Sequence, residues 1–248
     1  MGAVNAVPRF SGAQHRGERH AALAEPCCDA LLLPRRSAGL SGFVLCDGAG
    51  GSPAVARSAQ ASARAAWQAL LHLRRDLREQ PQPRLLHQFQ ARWLRRRGRV
   101  PLLDHTLLAC CWDRRRVVVL QVGDSSLLVR QNGSWRCPIS PAKGDYANQT
   151  TFVRRRTPLS AFQLWQAAAR DVEAVLAFSD GLESAFLGAP APGCAAPQVN
   201  APLAELVLAE HQRRQGGRGY TSWLARSLAD PALASLSDDD RTLVIASR

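Results

Sequence analysis

The chain has 248 residues, 46% hydrophobic and 21% charged, a balance that excludes a disordered or fibrous protein and is enough to bury a core without staples. Its formal net charge is +12, almost all of it arginine because Lys143 is the only lysine, and so basic a surface attracts acidic partners: phosphoproteins, nucleic acid or anionic membranes. Seven cysteines, odd in number, with adjacent pairs at Cys27-Cys28 and Cys110-Cys111 and no C-x-x-C, speak against a disulfide framework or a zinc ribbon.

These cysteines read as reduced thiols in a cytosol. No apolar run reaches the length of a membrane span, and the start MGAVNAVPRF lacks a secretory pattern, so a cytoplasmic protein without membrane attachment is expected. Residues 1–28 carry no clear period. Ala30–Leu33 reads as a strand, residues 35–40 as a turn, and Phe43–Cys46 as a second strand paired with the first as an antiparallel hairpin. Ser52 as N-cap and Pro53 in the first turn open an alanine-rich helix that the spacing of Ala56, Ala59, Ala63, Ala66, Trp67 and Leu70 extends to about Glu79. A second helix is expected from Leu85 to Arg97, with Phe89 and Trp93 on one face and Gly98 closing it.

After Pro101 the period changes. His105–Trp112, RVVVLQVGD and SSLLVRQ read as strands, and Asn132-Gly133 as a hairpin turn into SWRC, together an antiparallel meander. Residues 138–160 read as loop with some extended structure. Glu173–Gly181 is another buried strand, followed by a short helix, a loop from Gly188 to Pro202, helices at Leu203–Gln212 and Thr221–Leu228, and a final strand RTLVIAS. With no repeat and no linker, the expectation is one domain over residues 1–248. Its class is α+β: a layered sandwich of two antiparallel sheets flanked by helices.

Four strands share one feature, an acid at an end. GFVLCDGAGG places Asp47 after an apolar run, VVVLQVGDSS does so with Asp124, VLAFSDGLES with Asp180, and the run Asp238–Asp240 enters RTLVIAS. Asp29 stands before Ala30–Leu33. An Asp-Gly pair is by itself a common turn signal, and Asp124 reads equally well as a hairpin acid. Several strand ends converging would bring these carboxylates together, and clustered carboxylates repel unless cations hold them. Hard cations, Mg²⁺ or Mn²⁺, match an all-oxygen site. With no H-E-x-x-H and dispersed histidines, a zinc hydrolase site is not supported. A two-metal carboxylate site suits hydrolysis of phosphate esters.

The runs Arg95–Arg97, Arg114–Arg116 and Arg154–Arg156 read as solvated faces. His105 reads as structural, and Trp67, Trp93, Trp165 and Trp223 as core. Lys143 and Asn148–Thr151 fit an active-site flap or a plain loop equally well.

In order and context, Asp47-Gly48-Ala49-Gly50-Gly51, Val122-Gly123-Asp124-Ser125, Ser179-Asp180-Gly181 and Asp239-Asp240-Arg241-Thr242-Leu243 resemble the metal-dependent serine/threonine protein phosphatases, the PPM or type 2C family. The resemblance runs from about Ser11 to Arg248. Lys143-Gly144-Asp145-Tyr146-Ala147-Asn148-Gln149-Thr150 and Pro26-Cys27-Cys28-Asp29-Ala30 resemble a bacterial branch in which the phosphatase often accompanies a kinase. The resemblance implies two Mn²⁺ or Mg²⁺ ions: Asp47 bridging both, the Gly48 carbonyl on one, Asp180 and Asp239 on the other. It places Asp29 near the second ion through water or in its outer shell, and Asp124 near an optional third. The nucleophile it implies is a metal-bridging hydroxide, and the partner a phosphorylated protein, with a cognate kinase a further candidate.

Departures from the pattern are specific. Ala49 stands where many members have a histidine, Cys28 where they have an acid, Ala24 at the place of a phosphate-gripping arginine, Ser184 at the place of an acid, and Ser126 at that of an arginine. They leave a second reading open: a catalytically weak or inactive phosphatase-fold protein that binds a phosphoprotein or kinase. A nucleic-acid-binding reading ranks last, because arginine runs that track phosphate give no purpose to the ordered aspartates.

Overall fold

Phe43 and Leu45 point one way from their strand, and Val44 and Cys46 the other, yet all four are buried. The same alternation divides Leu108, Cys110 and Trp112 from Leu107, Ala109 and Cys111, and Val175 and Ala177 from Ala174, Leu176 and Phe178. A strand with period-two side chains buried on both faces must lie inside a multilayer stack, which is why these segments are continuous apolar runs.

The computed structural model describes residues 8–248 except 35, 38, 75, 77–81, 142–149, 192–193, 195 and 216. The strands are β1 (Arg9–His15), β2 (Ala30–Leu32), β3 (Ser41–Cys46), β4 (Leu107–Trp112), β5 (Arg116–Val122), β6 (Ser126–Gln131), β7 (Ser134–Ile139), β8 (Gln163–Ala168) and β9 (Ala174–Phe178), then the short β10 (Leu187–Gly188) and β11 (Gln198–Val199), and finally β12 (Arg241–Ser247). They form two five-stranded antiparallel sheets, in orders β1-β12-β9-β6-β7 and β2-β3-β4-β5-β8. Between them lies a core of inward residues from both, including Phe43, Trp112, Val119, Val129, Val175 and Val244.

Helices cover the outer faces. α1 (Glu18–Ala22) is a short turn near the sheet edge, and α2 (Pro53–Leu73) and α3 (Gln82–Arg96) pack Trp67, Leu70, Phe89 and Trp93 on the second sheet. After α4 (Glu183–Phe186), α5 (Ala201–Arg213) and α6 (Arg218–Leu228) cover the first sheet with Val207, Leu208, Tyr220 and Leu224; α7 (Pro231–Ala234) leads back to β12. The expected layered α+β class is thus observed. Ser52 caps α2 by accepting the Val55 amide, 3.3 Å.

The structure departs from the sequence reading at four places. β1 was unassigned in the sequence, and β8 fell in a stretch given no strand. The meander is also divided: β4 and β5 belong to one sheet, β6 and β7 to the other. The chain crosses between sheets at Gly123–Ser125, and an Asp-containing turn serves a crossover as well as a hairpin. Asn132 and Gly133, both at positive φ (50° and 74°), do make the tight turn expected between β6 and β7. α2 ends at Leu73, short of Glu79, and residues 143–149 of the candidate flap lie outside the described residues.

Candidate metal centre

The turn after β3 is built by its neighbours. The Asp47 amide donates to Thr106 Oγ1 at 3.0 Å, and the Thr106 amide donates to the Asp47 carbonyl at 2.7 Å. Gly48 bridges to His105, and the Ala49 amide donates to the Asp104 carbonyl at 3.1 Å. With its backbone satisfied on the β4 side, the turn holds Asp47 at the end of β3. Position 48 must be glycine: an added Cβ would sit 2.7 Å from the Cys28 carbonyl oxygen and 2.7 Å from Val55 Cγ1.

Asp124 arrives from the crossover. Gly123 has φ +103°, a conformation open to glycine, and a Cβ there would meet the Thr106 side chain at 2.6 Å. Thr106 Oγ1 and Ser125 Oγ are 3.0 Å apart, so one buried hydroxyl pair ties the Asp47 turn to the crossover. Asp180 begins the 3₁₀ turn Asp180–Leu182 directly after β9 and Ser179. Carboxylate oxygens of Asp47, Asp124 and Asp180 lie within 4.8 Å of one another.

Burial, together with the charges of Asp180, Asp29 and Asp124, holds the Asp47 carboxyl well above the usual range. Burial, then Asp124 and Asp239, push Asp180 up to about 6. Carboxylates this close and this buried repel when ionised, and a bound cation would offset that repulsion. An oxygen-only donor set this close suits a hard divalent ion, and the residues present fit one.

Asp29 and Asp239 lie beside this trio. Asp29 is 4% exposed, and its Oδ2 accepts the hydroxyls of Ser179 (2.8 Å) and Thr242 (2.6 Å). Its carboxyl is raised to about 8 by burial, against the pull of those two bonds. Asp239 accepts from Arg19 Nη2 at 3.0 Å.

Asp240, which the sequence did not single out, is the buried acid of its run. Its Oδ1 accepts the Gly17 amide at 2.8 Å and its Oδ2 the Cys28 amide at 2.6 Å. His20 Nδ1 lies 3.0 Å from Oδ1, at ion-pair distance though not aligned as a hydrogen bond. Burial raises the Asp240 carboxyl, but Gly17, His20 and Cys28 together outweigh it and leave it low. Within the run Asp238–Asp240, the counter-charge at Asp239 is Arg19, and Asp240 is met by two backbone amides with His20 alongside. Sequence reasoning also missed Thr106, Ser125, Ser179 and Thr242. A buried hydroxyl leaves no periodic mark, and only their position beside the acidic motifs hinted at them.

Of the departures, Ala24 has a positive φ of 55° at the end of the α1 turn. The Cys28 thiol is buried and raised to about 11, chiefly by burial and then by Asp240 and Asp29, so it stays protonated and is no substitute for a carboxylate.

Two stacked antiparallel sheets between helices, with acids from three strand ends brought together, define a class of layered α+β proteins with an acidic metal-type site. The family model for Protein phosphatase 2C matches residues 16–229, and the chain belongs to that family. It is 26% identical over 129 residues to serine/threonine-protein phosphatase 3 of Escherichia coli K12, a match covering 52% of this chain and 49% of that protein, so it spans about half the length of this relative. The fold is that of the serine/threonine phosphatase Stp1 from Staphylococcus aureus (TM-score 0.62, 15% identity, 98% of this chain and 96% of that one). The Mycobacterium tuberculosis serine/threonine phosphatase PstP/Ppp is similar too (TM-score 0.59, 20% identity, 98% and 99%).

Proposed function

We propose that this protein is a metal-dependent phosphoprotein phosphatase that hydrolyses phosphoserine and phosphothreonine. The observation that carries the proposal is the convergence of Asp47, Asp124 and Asp180 within 4.8 Å, in a chain whose family is a phosphatase family. Asp47, the Gly48 carbonyl, Asp180 and Asp239 would hold two Mn²⁺ or Mg²⁺ ions, with Asp29 behind them and Asp124 beside an optional third. Bound ions would supply an activated water for attack on phosphorus and offset charge on the leaving oxygen.

The chain's own residues do the positioning. Thr106 and Ser125 fix the Asp47 turn against the crossover that carries Asp124. Ser179 and Thr242 hold Asp29 behind Asp180. With alanine at position 49, protonation of the leaving serine oxygen falls to water or to another group.

The basic surface would favour an acidic phosphoprotein, and the bacterial-branch motifs favour a cognate kinase as partner. All seven cysteines are free, in keeping with a reducing, cytoplasmic site of action; no helix among the described residues is long and apolar enough to cross a membrane. One apolar core shared by both sheets supports reading residues 1–248 as a single domain.

A second reading, a binding-only descendant, is favoured by one contact: Arg19 occupies Asp239, a candidate metal ligand. The test is Mn²⁺-dependent hydrolysis of p-nitrophenyl phosphate and a phosphothreonine peptide, with EDTA and Asp180→Asn as controls. Turnover abolished by both controls establishes the enzyme. Folded protein without turnover in any divalent metal sinks it and leaves the binding-only reading.

A further inference from the structure

The end of α3 carries chemistry that the acidic centre does not use. A cavity of about 540 Å³ lies between the last turn of α3, the segment that follows it, and the loop after Val153. Five of its lining residues are arginines (Arg95, Arg97, Arg99, Arg155 and Arg156), and none is acidic. Arg95, Arg99, Arg155 and Arg156 are exposed and have no carboxylate partner among the described residues. Their neighbour Arg154, by contrast, is clasped by Asp104 through Nε at 3.1 Å and Nη2 at 2.8 Å.

Arg97 forms the floor, and here the expected solvated face is corrected. It is 6% exposed, with Nε donating to Ser62 Oγ at 2.7 Å and Nη2 to Ser58 Oγ at 3.0 Å and the Pro101 carbonyl at 3.1 Å. Every one of these acceptors is neutral. Its Nη1 meets no acceptor among the described residues. Burial first, and then the like charge of Arg155, press its guanidinium toward losing its proton, although Arg stays charged at any ordinary pH. A buried cation held by hydroxyls, carbonyls and the face of the Trp93 ring 5.8 Å away, with no carboxylate among these partners and four more arginines lining the same hollow, is an anion site lacking its anion's charge. The C-terminal end of α3 opposes an anion with roughly half an elementary charge, which five full charges exceed.

We propose that this cavity binds a small polyphosphate, a ligand with two or more phosphate groups in a chain. Guanidinium forks match phosphate oxygens in pairs, and one phosphate could not engage five of them. The volume falls within the roughly 300–1,000 Å³ of small-molecule sites. All five arginines line one cavity, which favours a compact ligand over an extended acidic segment. Leu94 and Val100 on the wall offer apolar contact to a nucleoside but nothing to an inorganic chain. The site is independent of the acidic centre and of the proposed activity.

The test is calorimetric titration of the full chain in EDTA at physiological ionic strength, with tripolyphosphate in one arm and ATP in the other. Arg99→Ala combined with Arg156→Ala is compared with Arg114→Ala combined with Arg115→Ala, an equal charge change at the exposed β4–β5 turn. Saturable binding of one ligand per chain is expected, weakened roughly tenfold or more by the cavity pair and hardly by the turn pair. Tighter ATP binding identifies the source as a nucleotide, and equal binding as the inorganic chain; both uphold the site. No saturable binding, or equal weakening by both pairs, overturns it as diffuse attraction to a basic surface. A glutamate-rich phosphopeptide that binds more tightly than either ligand and is lost with the cavity pair also overturns it, in favour of protein docking.

Discussion

Thr242 donates its hydroxyl to Asp29 Oδ2 at 2.6 Å across 213 positions of sequence. Ser179 donates to the same oxygen at 2.8 Å and in turn accepts the Thr242 amide at 3.0 Å. This closed triangle joins the start of β2 in one sheet to β9 and β12 in the other. It fixes the wall behind the metal-type centre.

Thr242→Val tests the triangle. It removes one of two hydroxyl donors from a buried acid, which costs about 1–3 kcal/mol. Urea unfolding at pH 7 should show a lower midpoint with an unchanged slope. A midpoint equal to that of the parent would mean that water replaces the hydroxyl and that the triangle contributes nothing.

Asp240 latches the start of β12 to the turn before α1 through the Gly17 amide, to α1 through His20, and to the segment before β2 through the Cys28 amide. Asp240→Asn keeps the shape but loses the charge and one acceptor, so a loss of about 3 kcal/mol at neutral pH is expected. The folded-state carboxyl is held low. Its stabilisation is therefore present above the unfolded value near 4 and is lost as pH falls through the folded value. The mutant's deficit should shrink at pH 3. Guanidinium unfolding at both pH values measures it, and an equal deficit at each would show that charge plays no part.

Gly123→Ala should strain the crossover. The positive φ costs about 1–2 kcal/mol for a residue with a Cβ, and the 2.6 Å approach to Thr106 adds to it. Thr106→Ser in the same chain removes Cγ2, the nearest contact, and should restore part of the loss. Thermal melts of the two single variants and the double form the cycle. Strict additivity would show that the two residues do not press on each other.

The parts of this molecule that could be read in the sequence are those whose burial leaves a pattern. β3, β4, β5 and β9 are apolar on both faces because helices cover one and the other sheet covers the second, and the acids that end them stand out by contrast. β1 hides because its sequence, RFSGAQH, is half polar. Ser11 is buried near His211, and Gly12 lies where a Cβ would meet the Leu243 carbonyl at 2.8 Å, so close packing on β12 replaces apolar alternation. β8 is an edge strand with partly exposed residues, so it carries polar side chains that dilute the signal. The sheet change at Gly123–Ser125 had no local mark, since partner choice is decided by the shared core and not by the turn. In the run Asp238–Asp240, three identical side chains could be told apart only by what reaches them: Arg19 for Asp239, and two amides and a histidine for Asp240.

The acidic centre makes divalent metal and proton compete. In metal-free protein Asp47 is held high, Asp180 is raised to about 6 and Asp29 to about 8, all chiefly by burial. The unfolded chain releases these protons near pH 4, so the folded state binds more of them. The stability these groups contribute is full below about pH 4 and is lost as pH rises through about 6 and about 8. Metal-free protein should therefore melt lower at pH 8 than at pH 5.5. Mn²⁺ must displace protons to bind at the lower pH and finds ionised carboxylates at the higher. The rise in Tm on adding Mn²⁺ should accordingly be several degrees larger at pH 8 than at pH 5.5, and Asp180→Asn should shrink that difference. Melting curves with EDTA and with Mn²⁺ at both pH values decide it. A metal-induced rise that does not change with pH would place the bound ion away from these carboxylates.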